Sequence, residues 1–236
     1  MITEKKVCKH FEKLFYGNAI YLWGANCQVI TKELTDRLYH TFKSSTYDKD
    51  YYDGKFIEGK GKIGADCSGS FYAVSGYDTT ASGYYSKCAV KGDIKDIPRY
   101  LPCQVFKTNS SGSINHIGWY MGDGTVIEMK SSNSNCARRH LDGNGWDLFG
   151  IPAWVTYSYK RPLVAINRLS SYQDVAWLQT KINNALKSIS SFIPLKVDGD
   201  YKTKTQAAVI KFYELQGWKT DGLKVGIIAI GRLAKY

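Results

Sequence analysis

The sequence predicts an α+β fold in two domains, one that packs N-terminal helices on an antiparallel β-sheet and a small all-helical one at the C-terminus. Three observations carry this prediction. Two segments near the N-terminus have apolar residues at helical spacing, a glycine-rich turn joins two strand-like segments in the middle, and the last third returns to helical spacing. With 236 residues, 44% of them hydrophobic, the chain is long enough to bury a core in each domain.

Two amphipathic helices are predicted near the N-terminus, over residues 3–17 and 29–43. In both segments the apolar residues recur every three or four positions, as one buried helix face requires. They are Val7, Phe11, Leu14 and Phe15 in the first segment, and Ile30, Leu34, Leu38 and Phe42 in the second. The polar stretch over residues 44–62 is rich in tyrosine and glycine, which predicts a long loop.

A candidate nucleophile follows in the segment Gly-Ala-Asp-Cys-Ser-Gly at residues 64–69. A glycine-bounded turn before a helical apolar pattern predicts that Cys67 begins a helix. There the helix dipole and the free backbone N–H groups lower the pKa of a thiol toward a reactive thiolate, and they also hold an oxyanion. The other five cysteines are expected to be small buried side chains, mostly as free thiols.

A base for this nucleophile is predicted in residues 114–129, whose pattern indicates a β-hairpin around Gly-Asp-Gly. Two registers are open. A two-residue turn pairs Trp119 with Glu128 and places His116 on the opposite face, whereas a three-residue loop pairs Gly118 with Glu128. The second register makes His116 and Glu128 diagonal neighbours on one face.

In that second register the carboxylate orients the imidazole and stabilises it once it has taken a proton. We therefore expect the three-residue loop, with its last glycine, Gly124, in the left-handed conformation. The resulting catalytic set is Cys67, His116 and Glu128.

The charge is concentrated in the last third of the chain. Of a net charge of +11, residues 157–236 hold 13 Lys/Arg against 5 Asp/Glu. Such a basic surface attracts polyanions, so nucleic acid, anionic membranes and the anionic polymers of bacterial walls are all candidate partners. No apolar run approaches the roughly 20 residues of a membrane span, and without a Cys-x-x-Cys or a close histidine pair no metal site is expected.

Together the motifs resemble those of the NlpC-type cell-wall cysteine peptidases, a papain-like family. Its Tyr-x-Trp-Gly, Asp-Cys-Ser-Gly and His-Val/Ile-Gly-x-Tyr motifs match residues 21–24, 66–69 and 116–120, in the family's order. The family's third catalytic position falls on Glu128, which also resembles the related CHAP amidase/peptidase domains. The Pro-Gly-Asp segment of the family is Pro-Cys-Gln here, at residues 102–104, and is given no role.

The resemblance implies a papain-like catalytic domain over residues 1–156 that needs no cofactor and no metal. The residues implied to hold the oxyanion and substrate are Tyr21, Asp66 and Ser68. The implied reaction cleaves an amide bond in the peptide stem of bacterial peptidoglycan, between D-glutamate, through its γ-carboxyl, and the diamino acid. The alternatives are cleavage between N-acetylmuramic acid and L-alanine, or a catalytically inert wall-binding protein.

After a linker over residues 157–170, residues 171–236 resemble the three-helix peptidoglycan-binding module of many wall hydrolases. Helical spacing runs over residues 171–187, and two Asp-Gly turns separate the predicted helices. From the residues alone a helical bundle of unknown partner stays open. The resemblance implies that peptidoglycan, and with it anionic wall polymers, is the partner; nucleic acid is not expected, because no basic-aromatic recognition motif is present.

The first residues lack the long apolar core of a secretory signal. We therefore expect synthesis in the cytoplasm without a signal peptide and action at the wall after release or export, as for a phage endolysin.

Overall fold

The computed structural model describes residues 2–158, 162 and 164–236. The chain forms two compact units. Unit 1 holds residues 2–97, Cys103–Met121 and Thr125–Tyr157, and unit 2 holds Pro98–Pro102, Gly122–Gly124 and the described residues from 158 onward. Of the predicted linker, residues 159–161 and 163 lie outside the described residues.

Unit 1 mixes helices and strands, which confirms the predicted α+β class. Its helices are α1 (Glu4–Tyr16), α2 (Lys32–Phe42), α3 (Lys49–Gly59), α4 (Tyr72–Ser75) and α5 (Ala81–Ser86). Its strands are β1 (Ile2–Thr3), β2 (Ile20–Tyr21), β3 (Asn26–Val29), β4 (Ile63–Ala65), β5 (Cys88–Asp93), β6 (Cys103–Thr108), β7 (Ile114–Tyr120), β8 (Thr125–Ser131), β9 (Asn135–His140), β10 (Leu148–Pro152) and β11 (Val155–Thr156).

The main sheet of unit 1 is antiparallel, with the strand order β5-β10-β6-β7-β8-β9. A smaller sheet has the order β2-β4-β3, and β1 pairs with β11. One core of buried side chains joins α1, the segment after β4 and the inner face of the main sheet, and the rings of Phe11, Phe71 and Trp119 pack together in it. The segments that carry the cysteine and the hairpin therefore pack on a shared core.

Both predicted N-terminal helices are confirmed. The hydroxyl of Thr3 accepts a hydrogen bond from the N–H of Lys6 at the start of α1, and Thr31 caps α2 in the same way. Such caps satisfy N–H groups that have no partner inside the helix. The predicted apolar positions are buried in both helices apart from the half-buried Phe15 and from Phe42, which is 43% exposed at the end of α2.

The predicted long loop over residues 44–62 is wrong, because α3 occupies its centre. Asp48 caps this helix by accepting a hydrogen bond from the N–H of Tyr51 at 2.9 Å. Glycine and tyrosine have low helix propensity, so the composition disguised the helix. Burial of Tyr52 and Lys55 in the folded unit supplies the stabilisation that the local sequence lacks.

Unit 2 contains α6 (Tyr172–Leu186), α7 (Thr203–Leu215) and α8 (Ile227–Leu233). The predicted helix over residues 171–187 is confirmed, with Ser171 as its cap. Both predicted Asp-Gly turns are present between these helices, and their glycines, Gly199 and Gly222, have φ of 70° and 73°. Such left-handed backbone favours glycine.

A buried glutamine holds the first of these turns. The side-chain oxygen of Gln179 accepts hydrogen bonds from the N–H groups of Asp198 and Gly199, both at 3.0 Å. Its amide nitrogen donates to the Asp198 carboxylate at 2.8 Å and to the hydroxyl of Thr205 at 3.1 Å. Gln179 thus joins α6 to the turn and to the start of α7.

Gly69 is a close-contact position in unit 1. A Cβ added there would lie 2.0 Å from the carbonyl oxygen of Ala25, so Gly69→Ala should lower the free energy of unfolding by about 1–3 kcal/mol. At Gly54 in α3 a Cβ would meet nothing within 4 Å, so Gly54→Ala should raise it by about 0.5–1 kcal/mol. Calorimetric unfolding of the two variants measures the difference, and equal midpoints would contradict it.

Candidate active site

The register of the β7–β8 hairpin is the three-residue one, which confirms the predicted choice. Trp119 pairs with Ile127, so one step further along each strand Gly118 lies opposite Glu128. The two glycines of the connecting loop over residues 122–124 have φ of 76° and 88°, a conformation that side chains with a Cβ rarely adopt. The loop glycines therefore set which face of the hairpin each side chain occupies.

His116 and Glu128 meet on this face. Nε2 of His116 lies 2.7 Å from Oε2 of Glu128, and the two side chains are 14% and 0% exposed. An ionised carboxylate only accepts hydrogen bonds, so the tautomer that fits this contact has its proton on Nε2, which leaves Nδ1 as the proton acceptor of the ring. The arrangement is that of a histidine base oriented by a buried acid.

Sequence reasoning missed Trp146, whose indole packs on the imidazole. The two rings are nearly parallel, with centroids 5.7 Å apart and planes at 23°. The ammonium of Lys107 lies 4.7 Å from the centroid of Trp146 and donates to the carbonyl of Asn144 at 2.8 Å. A Cβ at Gly118 would come within 2.8 Å of the indole, so this glycine makes room for it. No local pattern marks Trp146, because it follows β9 and is remote in sequence from the hairpin.

Cys67 lies in a turn that leads through a short 3-10 helix (Gly69–Phe71) into the single turn of α4. Burial raises the pKa of this thiol to about 12, and the neighbouring Asp66 carboxylate raises it further. The expectation of a lowered pKa is therefore wrong, since the side chain is 7% exposed and the helix is too short to offset its desolvation. At neutral pH Cys67 is therefore a protonated thiol.

The strand that carries His116 passes near the thiol of Cys67. The backbone N–H groups of Ile117, the residue after His116, and of Ser68 both act against the rise in the pKa of Cys67. The His116 strand and the cysteine turn therefore lie close together.

Asp66 and Ser68, predicted to contact the oxyanion or substrate, are bonded to the chain itself. One oxygen of Asp66 accepts from the N–H of Gly24 at 2.9 Å. The other accepts from the N–H of Gly69 at 2.7 Å and from the hydroxyl of Ser68 at 3.1 Å. Burial raises the pKa of Asp66, and these bonds oppose the rise. The carboxylate thus fastens the aromatic segment to the cysteine turn.

Tyr21 lies beside this turn, 6% exposed. Burial raises the pKa of its hydroxyl well above the usual value, and the neighbouring ionisable groups of Cys67, Tyr47 and Asp66 add to the shift. A phenol in this state keeps its proton and remains a hydrogen-bond donor. The ring of Tyr47 stacks on Trp23 with centroids 4.6 Å apart.

A polar latch from α3, also missed from the sequence, holds the backbone of Tyr21. Lys55, 6% exposed, donates to Glu58 at 2.7 Å and to the carbonyl of Ser132 at 2.6 Å. Asn135 donates to Glu58 at 2.7 Å and accepts from the N–H of Tyr21 at 3.0 Å. This latch ties α3 and the β8–β9 turn to the strand that precedes the aromatic segment.

The remaining cysteines are dispersed. All six are free thiols, namely Cys8, Cys27, Cys67, Cys88, Cys103 and Cys136.

Among the residues that the structure describes, no three His, Cys, Asp or Glu side chains are grouped as metal ligands. No helix in the described part of the chain combines the length and the hydropathy that crossing a bilayer requires.

Comparisons of the chain with protein-family models, with curated proteins and with solved structures found no match.

The protonation state of Cys67 is measurable by alkylation. Because only the thiolate reacts and the pKa is about 12, the rate at which iodoacetamide modifies Cys67 should rise about tenfold per pH unit between pH 7 and 9. Mass spectrometry of the Cys67 peptide gives this rate, and the same peptide in denaturant is the control. A rate that stays constant over this range would mean that a thiolate is already formed.

Proposed function

We propose that the protein is a cysteine-type hydrolase of bacterial peptidoglycan that cleaves an amide bond in the peptide stem. Cys67 is the nucleophile, His116 the base and Glu128 the group that orients it. The observation that carries the proposal is the 2.7 Å bond between His116 and the fully buried carboxylate of Glu128. The backbone N–H of Ile117, next to His116 on the same strand, opposes the rise in the pKa of Cys67, which places this strand near the thiol. Two segments remote in sequence, the cysteine turn and the β7–β8 hairpin, supply the three groups of an acyl-transfer site.

The first half of the proposed reaction starts from a neutral thiol. As the sulfur of Cys67 attacks the amide carbonyl carbon, Nδ1 of His116 takes its proton, and Glu128 stabilises the imidazolium. The carbonyl oxygen becomes an oxyanion that backbone N–H groups near Cys67 and the hydroxyl of Tyr21 receive. The imidazolium then protonates the amine, the C–N bond breaks, and a thioester to Cys67 remains.

The second half returns the enzyme to its starting state. His116 takes a proton from water as the oxygen attacks the thioester, and the same donors hold the second oxyanion. The C–S bond breaks, and the sulfur recovers its proton from the imidazolium. The products are a carboxylic acid and an amine, and no electron transfer is required.

The assignment of peptidoglycan as substrate rests on the resemblance to the NlpC-type peptidases, with their papain-like fold, and to the three-helix wall-binding module. The unit 1 arrangement supports it, because a cysteine turn packs against an antiparallel sheet that carries the histidine. The three helices and Asp-Gly turns of unit 2 and its positive charge support a module that binds an anionic wall. We propose the bond between D-glutamate, through its γ-carboxyl, and the diamino acid as the one cleaved.

The deciding experiment is mass spectrometry of purified peptidoglycan after digestion, with new amino termini labelled chemically. The wild-type protein should release new diamino-acid termini, whereas Cys67→Ala and His116→Ala should release none above background. The matched controls Cys136→Ala and His140→Ala remove the same groups elsewhere in unit 1 and should keep the activity. New L-alanine termini would instead identify an amidase, and no new ends from several wall types would contradict the hydrolase.

Glu128→Gln separates orientation from charge at the base. Glutamine keeps an acceptor for Nε2–H but loses the negative charge that stabilises the imidazolium, so kcat should fall about 100-fold or more with little change in KM. Steady-state kinetics on a soluble stem peptide measures both constants. The exposed Glu33→Gln, which also removes one carboxylate from unit 1, is the control. Unchanged kcat for Glu128→Gln would remove Glu128 from the mechanism.

A further inference from the structure

Unit 2 has a surface groove of about 570 Å³ between residues 191–196 and one face of α7. We call it the lysine groove. Apolar side chains form much of its lining, among them Phe192, Leu195 and Ala208, and Ile193 stands 85% exposed at its edge. An apolar surface of this kind gains free energy when a ligand covers it.

Three exposed lysines border the groove, and no acidic residue lines it. They are Lys196, Lys204 and Lys211. Within the part of the chain that the structure describes, none of the three forms an ion pair, whereas the neighbouring Lys202 is paired with Asp200 at 2.7 Å. Lys196 and Lys204 also line a neighbouring depression that contains Asp198 and Asp200, whereas Lys211 does not. The groove therefore offers lysine ammonium groups that no ion pair among the described residues occupies.

The two lysines on α7 are seven residues apart, with Ala207 and Ala208 between them on the same face. Seven residues of α-helix advance by about 10.5 Å. An extended peptide covers this distance in about three residues. Two carboxylates about three residues apart on a peptide would therefore each meet one lysine, with small apolar groups between them lying on the alanines.

We propose that the lysine groove binds an acidic peptide in an extended conformation, with carboxylates about three residues apart and small apolar groups between them. A polyol phosphate or nucleic acid backbone has the charge but no methyl groups to cover the apolar floor, so a peptide fits better. The identity of that peptide rests on the proposed function, under which it is the peptide stem of the wall. In the stem, the free carboxyl of D-glutamate and the terminal carboxyl have this spacing.

The test uses the full chain with Cys67→Ala, so that the ligand is not consumed. The probe is the soluble N-acetylated peptide L-Ala-γ-D-Glu-L-Lys-D-Ala-D-Ala with both carboxylates free, and its affinity is measured by titration calorimetry. Adding Lys204→Glu and Lys211→Glu should weaken binding about tenfold or more, because each attraction becomes a repulsion. Amidation of both carboxylates of the peptide should weaken its binding to the parent chain by a similar factor.

Two matched variants make the outcome specific. Lys219→Glu with Lys235→Glu changes the net charge of unit 2 equally at exposed positions outside the groove and should leave affinity within about twofold. Lys204→Arg with Lys211→Arg keeps the charges and should retain binding, which guards against loss of fold. Equal weakening by both glutamate pairs would reduce the effect to net charge and overturn the proposal. Binding of a polyol phosphate but not of the peptide would also overturn it.

The experiments distinguish failure of the groove proposal from failure of the proposed hydrolase function. If the wild-type protein cleaves the stem but the groove variants bind the peptide as well as the parent does, only the groove proposal fails. If the groove binds the peptide but no wall releases new termini, the proposed hydrolase fails and the chain remains a binder of acidic peptides.

Discussion

The register of one hairpin is the constraint on which the candidate site depends. Because side chains alternate along a strand, a slip of one residue between β7 and β8 would move Glu128 to the face opposite His116. The three-residue loop with its two positive-φ glycines fixes the register that brings them together. Gly118 adds a second requirement, since only a residue without a side chain leaves room for Trp146 against the imidazole. Gly122 and Gly124, through their backbone conformation, and Gly118, through its missing side chain, thus position the proposed base.

The buried ionisable groups of the site differ in the partners that surround them. Glu128 is buried beside an imidazole that can become positive, and Asp66 is surrounded by donors from Gly24, Ser68 and Gly69. Cys67 has weaker compensation, and its pKa rises to about 12. The low-dielectric surroundings therefore keep the sulfur neutral until a base takes its proton, and the negative charge of Asp66 reinforces this state. Under the proposed mechanism, proton transfer to His116 and attack on the carbonyl are coupled, because a free thiolate would be costly here.

The parts that could be predicted from the sequence are those that local patterns determine. Apolar spacing predicts α1, α2 and α6. The register of the hairpin is predictable because only two registers fit its glycines, and only one of them places His116 and Glu128 on the same face. The position of α3 could not be predicted, since its stability comes from burying Tyr52 and Lys55 rather than from helix propensity. The raised pKa of Cys67 could not be predicted either, because it follows from burial, and burial is a property of the whole fold. The contacts of Trp146 and of the Lys55 latch join segments distant in the chain, and spacing does not encode them.

The positive charge of unit 2 comes from lysines whose spacing matters as well as their number. Dispersed lysines attract any polyanion, and at physiological ionic strength salt largely screens that attraction at distances beyond about 8 Å. Lysines held at a fixed spacing on α7 add a distance requirement that dispersed charge lacks. Under the proposed function, weak binding of this kind has an advantage over tight binding. A hydrolase on an insoluble polymer gains from a raised local substrate concentration, but it must release each cleaved stem to reach the next. Exposed lysines beside a shallow apolar floor suit that requirement, because each contact is individually weak.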